Sequence, residues 1–204
     1  MSPKTIDKVQ KRNAIVRAAM RSAARKGINN IKIDDIAEEA GIGKGTIYEY
    51  FSSKEEMFGE AIVEFMRHME TTMAGKMFKA LTPPDKIKAI IDSFVEVCES
   101  EDRELMHLMT DVWAEGIRQD SEELKKVFDL KEVYRQFGAM VAAIINDGIN
   151  SGIFRQVDTE TVAGVFLATT DGLIIQWLLD KDNFDLRKAA DMLYETLLHG
   201  ISTE

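Results

Sequence analysis

Cysteine occurs once in this chain of 204 residues, at position 98, and histidine three times, at 68, 107 and 199. A lone thiol excludes an internal disulfide framework, and scattered histidines without partners at ligand spacing offer no zinc cage. No metal or other cofactor is expected. No nucleophile elbow, HExxH pair or dinucleotide fingerprint is present either, so the residues supply no recognisable catalytic centre. Proline is confined to Pro3, Pro83 and Pro84, and alternation of the strand type is scarce. The opening MSPKTIDKVQKRN is polar with no apolar core behind it, which reads as a chain without a secretion signal and leads us to expect a cytoplasmic location.

Helical spacing fills the space left by these absences. The periodicity predicts an all-α protein of about nine helices, near 8–26, 33–40, 44–51, 53–79, 84–100, 103–118, 121–151, 159–180 and 186–201. Gly27 stops the first, whose inner face is expected at Ile15, Ala18, Ala19 and Ala23. Ser53 and Glu56 form a capping box for the fourth, and Thr82 with Pro83 starts the fifth. The chain divides into a small head, residues 1–54, and a larger body, residues 55–204, with the long fourth helix leading from one into the other.

Charge is distributed unevenly between these parts. The net charge of −9 argues against a polyanionic partner only as an average. Residues 1–54 hold 11 Lys/Arg against 6 Asp/Glu, or +5, and the remainder 15 against 29, or −14. A basic head suited to nucleic acid and an acidic body that avoids it follow from the split. Clustering of solvated lysines by chance is the competing explanation.

From Val162 to Leu179 the sequence is almost continuously apolar, with Thr169, Thr170, Asp171 and Gln176 as interruptions. The length barely suffices for a membrane span, and Asp171 at its centre would cost about 2.5 to 3.5 kcal/mol. No membrane association is expected. Burial on several faces is the reading instead, by a large core of the chain itself or in part by a second copy of the chain.

The segment GIGKGTIYEYF, Gly41 to Phe51, suggests a phosphate loop at first sight. Gly45 follows Gly43 and Lys44 where a Ser or Thr is required, and Glu38 stands at the first-glycine position, so the pattern fails twice. As helix, tight turn and helix, IDDIAEEAGIGKGTIYEYF is consistent throughout. Ile33, Ile36 and Ala37 form an apolar face, Gly41 permits a left-handed turn, and Ile47 and Phe51 point inward. Lys44, Thr46, Tyr48, Glu49 and Tyr50 are left for solvent or a groove, the arrangement of a helix-turn-helix unit.

The stretch IVRAAMRSAARKGINNIKIDDIAEEAGIGKGTIYEYFSSKEEMFGEAI closely resembles the N-terminal domain of the tetracycline-repressor (TetR/AcrR) family of transcriptional regulators. That likeness covers the first quarter to third of the chain. DVWAEGIRQD, INSGIF and DGLIIQWLL are similar to family members more loosely. The resemblance implies a homodimer, here expected through the last two helices, that places two recognition helices about 34 to 36 Å apart on a roughly palindromic double-stranded operator. It also implies a variable body that binds a small-molecule effector of unknown identity and releases the DNA when occupied. Carried over, Lys44, Gly45, Thr46, Tyr48 and Tyr50 occupy recognition-helix positions that meet phosphates or bases, and Lys54 a phosphate-contact position. Lys32 stands where a Thr or Ser cap is common in the family, so that cap is lost, although Lys32 can itself reach phosphate. Asp34 and Glu49 bring negative charge near the expected groove, and Ala23 replaces a usual Phe.

For the body, Met109, Trp113, Phe137, Val141, Phe166, Thr170 and Trp177 are candidate linings of a hydrophobic ligand pocket, with an ordinary core as the competing reading for each. Asp171 is expected to pair structurally, His107 to face the surface near Asp111, and Cys98 to be a small buried hydrophobe. A helical small-molecule carrier whose head is not used for DNA is the alternative to a ligand-responsive repressor.

Overall fold

A computed structural model describes residues 3–27, 30–99 and 129–203, and between 100 and 128 only 106, 109–111, 113, 114 and 117. Eight helices are defined among these residues: α1 Pro3–Lys26, α2 Ile33–Ala40, α3 Lys44–Tyr48, α4 Lys54–Met77, α5 Pro83–Glu99, α6 Leu130–Asn150, α7 Thr159–Leu179 and α8 Leu186–Ile201. The described residues within 106–117 are helical as well; the expected start at 103 lies outside the described set, and the helix expected over 121–151 begins only at Leu130, after a non-helical Asp129. No strand occurs among the described residues, whose one isolated bridge joins Phe154 to Ser202. The all-α expectation holds.

Two compact units divide the chain, residues 1–67 with 101–131 and residues 68–100 with 132–204, so α4 begins in the first and ends in the second. In the first unit α1 packs on α2, and α2 on α3. The inner face of α1 is the expected one, with Ile15, Ala18, Ala19 and Ala23 all buried. Alanines there let α2 approach closely, and Met20 and Phe58 of the same unit are also buried. Helix α1 begins five residues before its expected start because Pro3 suits a first helical position, where a missing N–H costs nothing.

In the second unit α8 packs against α5 and α7. Side-chain caps fix its helix starts. Asp85 N–H donates to the Thr82 hydroxyl at 3.3 Å, Thr161 N–H to Asp158 at 3.1 Å and Lys188 N–H to Asp185 at 2.9 Å. After α6 the chain turns at Gly152, φ +74°, and folds Phe154 back onto Gly148. A Cβ at Gly148 would lie 2.0 Å from the Phe154 ring, so this crossing requires glycine. Arg155 then donates from Nε and Nη2 to the Gly200 carbonyl, at 3.0 and 2.6 Å, and satisfies the end of α8.

Helix α7 departs from expectation. Its apolar stretch is long enough to cross a membrane by length and composition, but only 22% of it is buried within the chain. Burial on several faces by the chain's own core is therefore incorrect. The inner face carries Ala163, Phe166, Thr170 and Ile174, while Val165, Ile175 and Leu179 are exposed on the opposite side. One covered stripe is all that neighbouring helices on one side can supply.

Candidate nucleic-acid interface

Backbone geometry sets the path from α2 into α3. Gly41 adopts φ +66°, ψ 30°, its N–H donating to Glu38 O at 3.1 Å and that of Ile42 to Ala37 O at 3.1 Å. This is a Schellman ending, and the left-handed position favours glycine. Gly43 then caps α3, whose amides at Thr46 and Ile47 donate to the Gly43 carbonyl at 2.9 and 3.4 Å. Helix α3 stops at Tyr48 rather than Phe51, yet both inward anchors are in place, Ile47 fully buried and Phe51 at 2% exposure.

With those anchors inside, the opposite face is turned out. Lys44, Gly45, Tyr48 and Glu49 are exposed, and Thr46 and Tyr50 half-buried. Tyr48 is 54% exposed, a large aromatic left uncovered by its own unit. Gly45 is informative for a different reason. Its backbone has no positive φ, and a Cβ there would meet nothing within 4 Å. None of the described residues calls for glycine at that place in a helix, where it is less favourable than alanine.

The expected cations are distributed less uniformly. Lys32 is exposed at the start of α2 without a side-chain cap, as expected. Asp35 compensates by accepting the Lys32 N–H at 2.8 Å, and its carboxyl is held below the usual range by Lys26 at 2.6 Å and by that amide. Lys54 is half-buried and donates to the Ile31 carbonyl at 3.5 Å. Lys44 pairs with Asp34, which raises its pKa. Much of the head's positive charge is thus matched locally, since Glu39 also holds both Arg21, at 2.6 Å, and Arg25.

One residue outside the sequence reading organises this surface. Arg12 of α1 donates from Nη1 to the Tyr50 carbonyl, from Nη2 to Glu56 at 3.0 Å and from Nε to Glu60 at 2.7 Å. Its guanidinium carbon lies 4.0 Å from the Phe51 ring centroid. Burial opposes its charge, but the two carboxylates outweigh that and raise its pKa. Arg12 so fastens the end of α3 to α1 and to the first turns of α4. The signal missed was two glutamates one turn apart, Glu56 and Glu60, facing an arginine 44 residues away in sequence. Glu56 also takes the Ser52 N–H at 2.8 Å and the Ser52 hydroxyl at 2.7 Å, while Ser53 accepts from Glu56 N–H at 3.1 Å. The capping box forms with its return contact shifted by one residue.

Residues 15–61 match the model of bacterial regulatory proteins of the tetR family, and residues 83–201 that of the C-terminal region of BetI-type transcriptional repressors. The chain belongs to the TetR family of transcriptional regulators. Among TetR-family relatives, the fatty acid metabolism regulator protein of Bacillus subtilis is 25% identical over 192 residues, covering 92% of this chain and 93% of its own. The solved structure of a regulator from Saccharomonospora viridis in complex with choline matches with a TM-score of 0.78 at 24% identity, over 96% of this chain and all of that one. The ketosteroid regulator KstR2 of Mycobacterium tuberculosis matches with a TM-score of 0.76 at 22% identity, over 95% of each chain. TetR-family proteins are DNA-binding regulators and not an enzyme family.

The body candidates divide between the units. Met109 and Trp113 belong to the first, with Met109 buried. Phe137, Val141, Phe166, Thr170 and Trp177 belong to the second, where Val141, Phe166 and Thr170 are buried. Phe137 meets Phe94 edge to face at 5.5 Å, Thr170 donates to the Phe166 carbonyl at 2.9 Å, and Lys181 lies over the Trp177 ring. Asp171 accepts from the Tyr134 hydroxyl at 2.6 Å. Burial raises its pKa, opposed by that hydrogen bond. Cys98 is buried and its thiol is pushed up to about 12 by burial, which leaves it inert as a nucleophile. His107 lies outside the described residues.

Proposed function

We propose that this regulator is a cytoplasmic homodimer that binds a roughly palindromic operator through α3 and is released by a small apolar effector held in the body. The observation that carries the DNA reading is the outward face of α3. An exposed Tyr48, a Thr46 hydroxyl and a glycine with no internal reason at Gly45 stand over the buried anchors Ile47 and Phe51. Gly45 lets a phosphate backbone approach closely, Lys44, Lys54 and Lys32 neutralise phosphate, and Thr46, Tyr48 and Tyr50 read or position. In support of a dimer, α7 and α8 leave Val165, Ile175, Leu179 and Met192 exposed. In support of an apolar effector, Phe137, Val141, Phe166, Thr170 and Trp177 share the second unit, and the relatives' names include regulators concerned with fatty acids and ketosteroids.

The test is selection of bound fragments from the source genome, followed by titration of the best fragment at several salt concentrations. Wild type is expected to bind it specifically and with steep salt dependence, and Tyr48→Ala to lose at least tenfold in affinity with unchanged stability. Absence of any enriched fragment, together with detectable binding of fatty acyl or other apolar ligands, would favour a carrier with an unused head.

A further inference from the structure

Lys44 belongs to the face proposed above to meet DNA, yet its ammonium already has a partner. Nζ lies 2.9 and 3.0 Å from the two carboxylate oxygens of Asp34, in the first turn of α2. The two side chains are 50% and 66% exposed, and an ion pair so open to water adds little to stability. Asp35 and Glu39 of the same helix are directed to α1, where they hold Lys26, Arg21 and Arg25. Asp34 faces α3 instead. Its position at a helix start is favourable for a carboxylate, but Asp35 already occupies the same first turn and takes the Lys32 amide. The amide cap of that turn goes to Asp35, and the carboxylate of Asp34 is directed to Lys44.

A phosphate arriving at Lys44 must displace this carboxylate or share the ammonium with it. We infer that Asp34 is a competitor for phosphate built into the head, which holds down binding to DNA of arbitrary sequence and leaves residence to the side chains that reach base edges. This rests on the DNA reading of α3. Phosphate contacts carry no sequence information, and each full contact steepens the salt dependence of log affinity by about 0.9. With Asp34 in place the Lys44 corner presents almost no net charge, so its contact releases few counterions. Removal of the carboxylate restores the contact.

The experiment titrates the full chain against a random-sequence duplex by fluorescence anisotropy, between about 50 and 200 mM salt. Asp34→Asn keeps the side-chain size. Glu38→Gln alters a second exposed carboxylate of α2 with the same change in net charge. Asp34→Asn is expected to steepen the salt slope by about one, to bind roughly threefold tighter at the low-salt end, and to lose that gain when combined with Lys44→Ala. Glu38→Gln is expected to leave the slope unchanged. An unaltered slope in Asp34→Asn, an equal gain in Glu38→Gln, or a gain that survives Lys44→Ala overturns the inference. Wild type that binds neither the selected genomic fragment nor this duplex better than an acidic control protein removes the DNA reading and this inference together. Wild-type binding with an indifferent Asp34→Asn removes the inference alone.

Discussion

Arg12 shows how much one side chain organises in the head. It satisfies the Tyr50 carbonyl and two glutamates, and it stacks on Phe51. Truncation leaves that carbonyl short of a donor and two carboxylates unpaired, at a cost of about 1 to 3 kcal/mol. Arg12→Ala is therefore expected to lower the first unit's resistance to urea and to weaken DNA binding, with Arg12→Lys recovering charge but not the fork. Unchanged hydrogen-exchange protection of α3 in Arg12→Ala would sink this role. Gly45 separates stability from function in the opposite sense. With open space at its Cβ, Gly45→Ala is expected to stabilise the chain by about 0.5 to 1 kcal/mol while DNA affinity falls. A variant that gains stability and keeps full affinity would show that no backbone approaches there.

At the scale of the element, α1 and α2 are joined by charge as much as by packing. Asp35, Glu39 and Glu56 are all held below the ordinary carboxylate range, chiefly by Lys26, by Arg21 and by the Ser52 amide respectively. A carboxyl whose folded pKa is depressed stabilises fully above its unfolded pKa and loses that contribution as pH falls through the folded value. The head is therefore expected to weaken below about pH 4, and Glu39→Gln to show a smaller decline between neutral and acid pH. Urea midpoints of α1 and α2 followed by hydrogen exchange at both pH values measure it, and an equal decline in the variant would refute the assignment. Asp171 has the opposite sign. Its raised pKa weakens the fold as pH climbs past the ordinary Asp range, so it does not add to acid sensitivity.

For the whole molecule, the exposed side of α7 is where the proposed dimer is expected to form. Val165, Ile175 and Leu179 stand on one face at helical spacing, with Met192 of α8 also uncovered. An apolar face of this kind is a usual site of association. Ile175→Glu is expected to convert a dimer at micromolar concentration into a monomer by sedimentation, with helical circular dichroism retained. A variant that remains dimeric would place the interface elsewhere. Loss of the dimer is also expected to abolish tight operator binding while leaving weak, salt-sensitive binding of single heads.

Local rules made much of this protein legible from its residues. Helix starts at Pro83, Thr159 and Leu186, the turn at Gly41 and the inward pair Ile47 and Phe51 depend on contacts within a few residues, which sequence order preserves. By itself the sequence determined the helical class, the basic head and the outward chemistry of α3. Tertiary structure decided what joins distant residues. Arg12 reached Glu56 and Glu60, Lys44 was claimed by Asp34, and Tyr134 met Asp171. It also decided that α7 would be covered on one stripe only. An apolar run records that burial is favourable without naming the surface that provides it, and a charge count records its sign without naming the partner that cancels it.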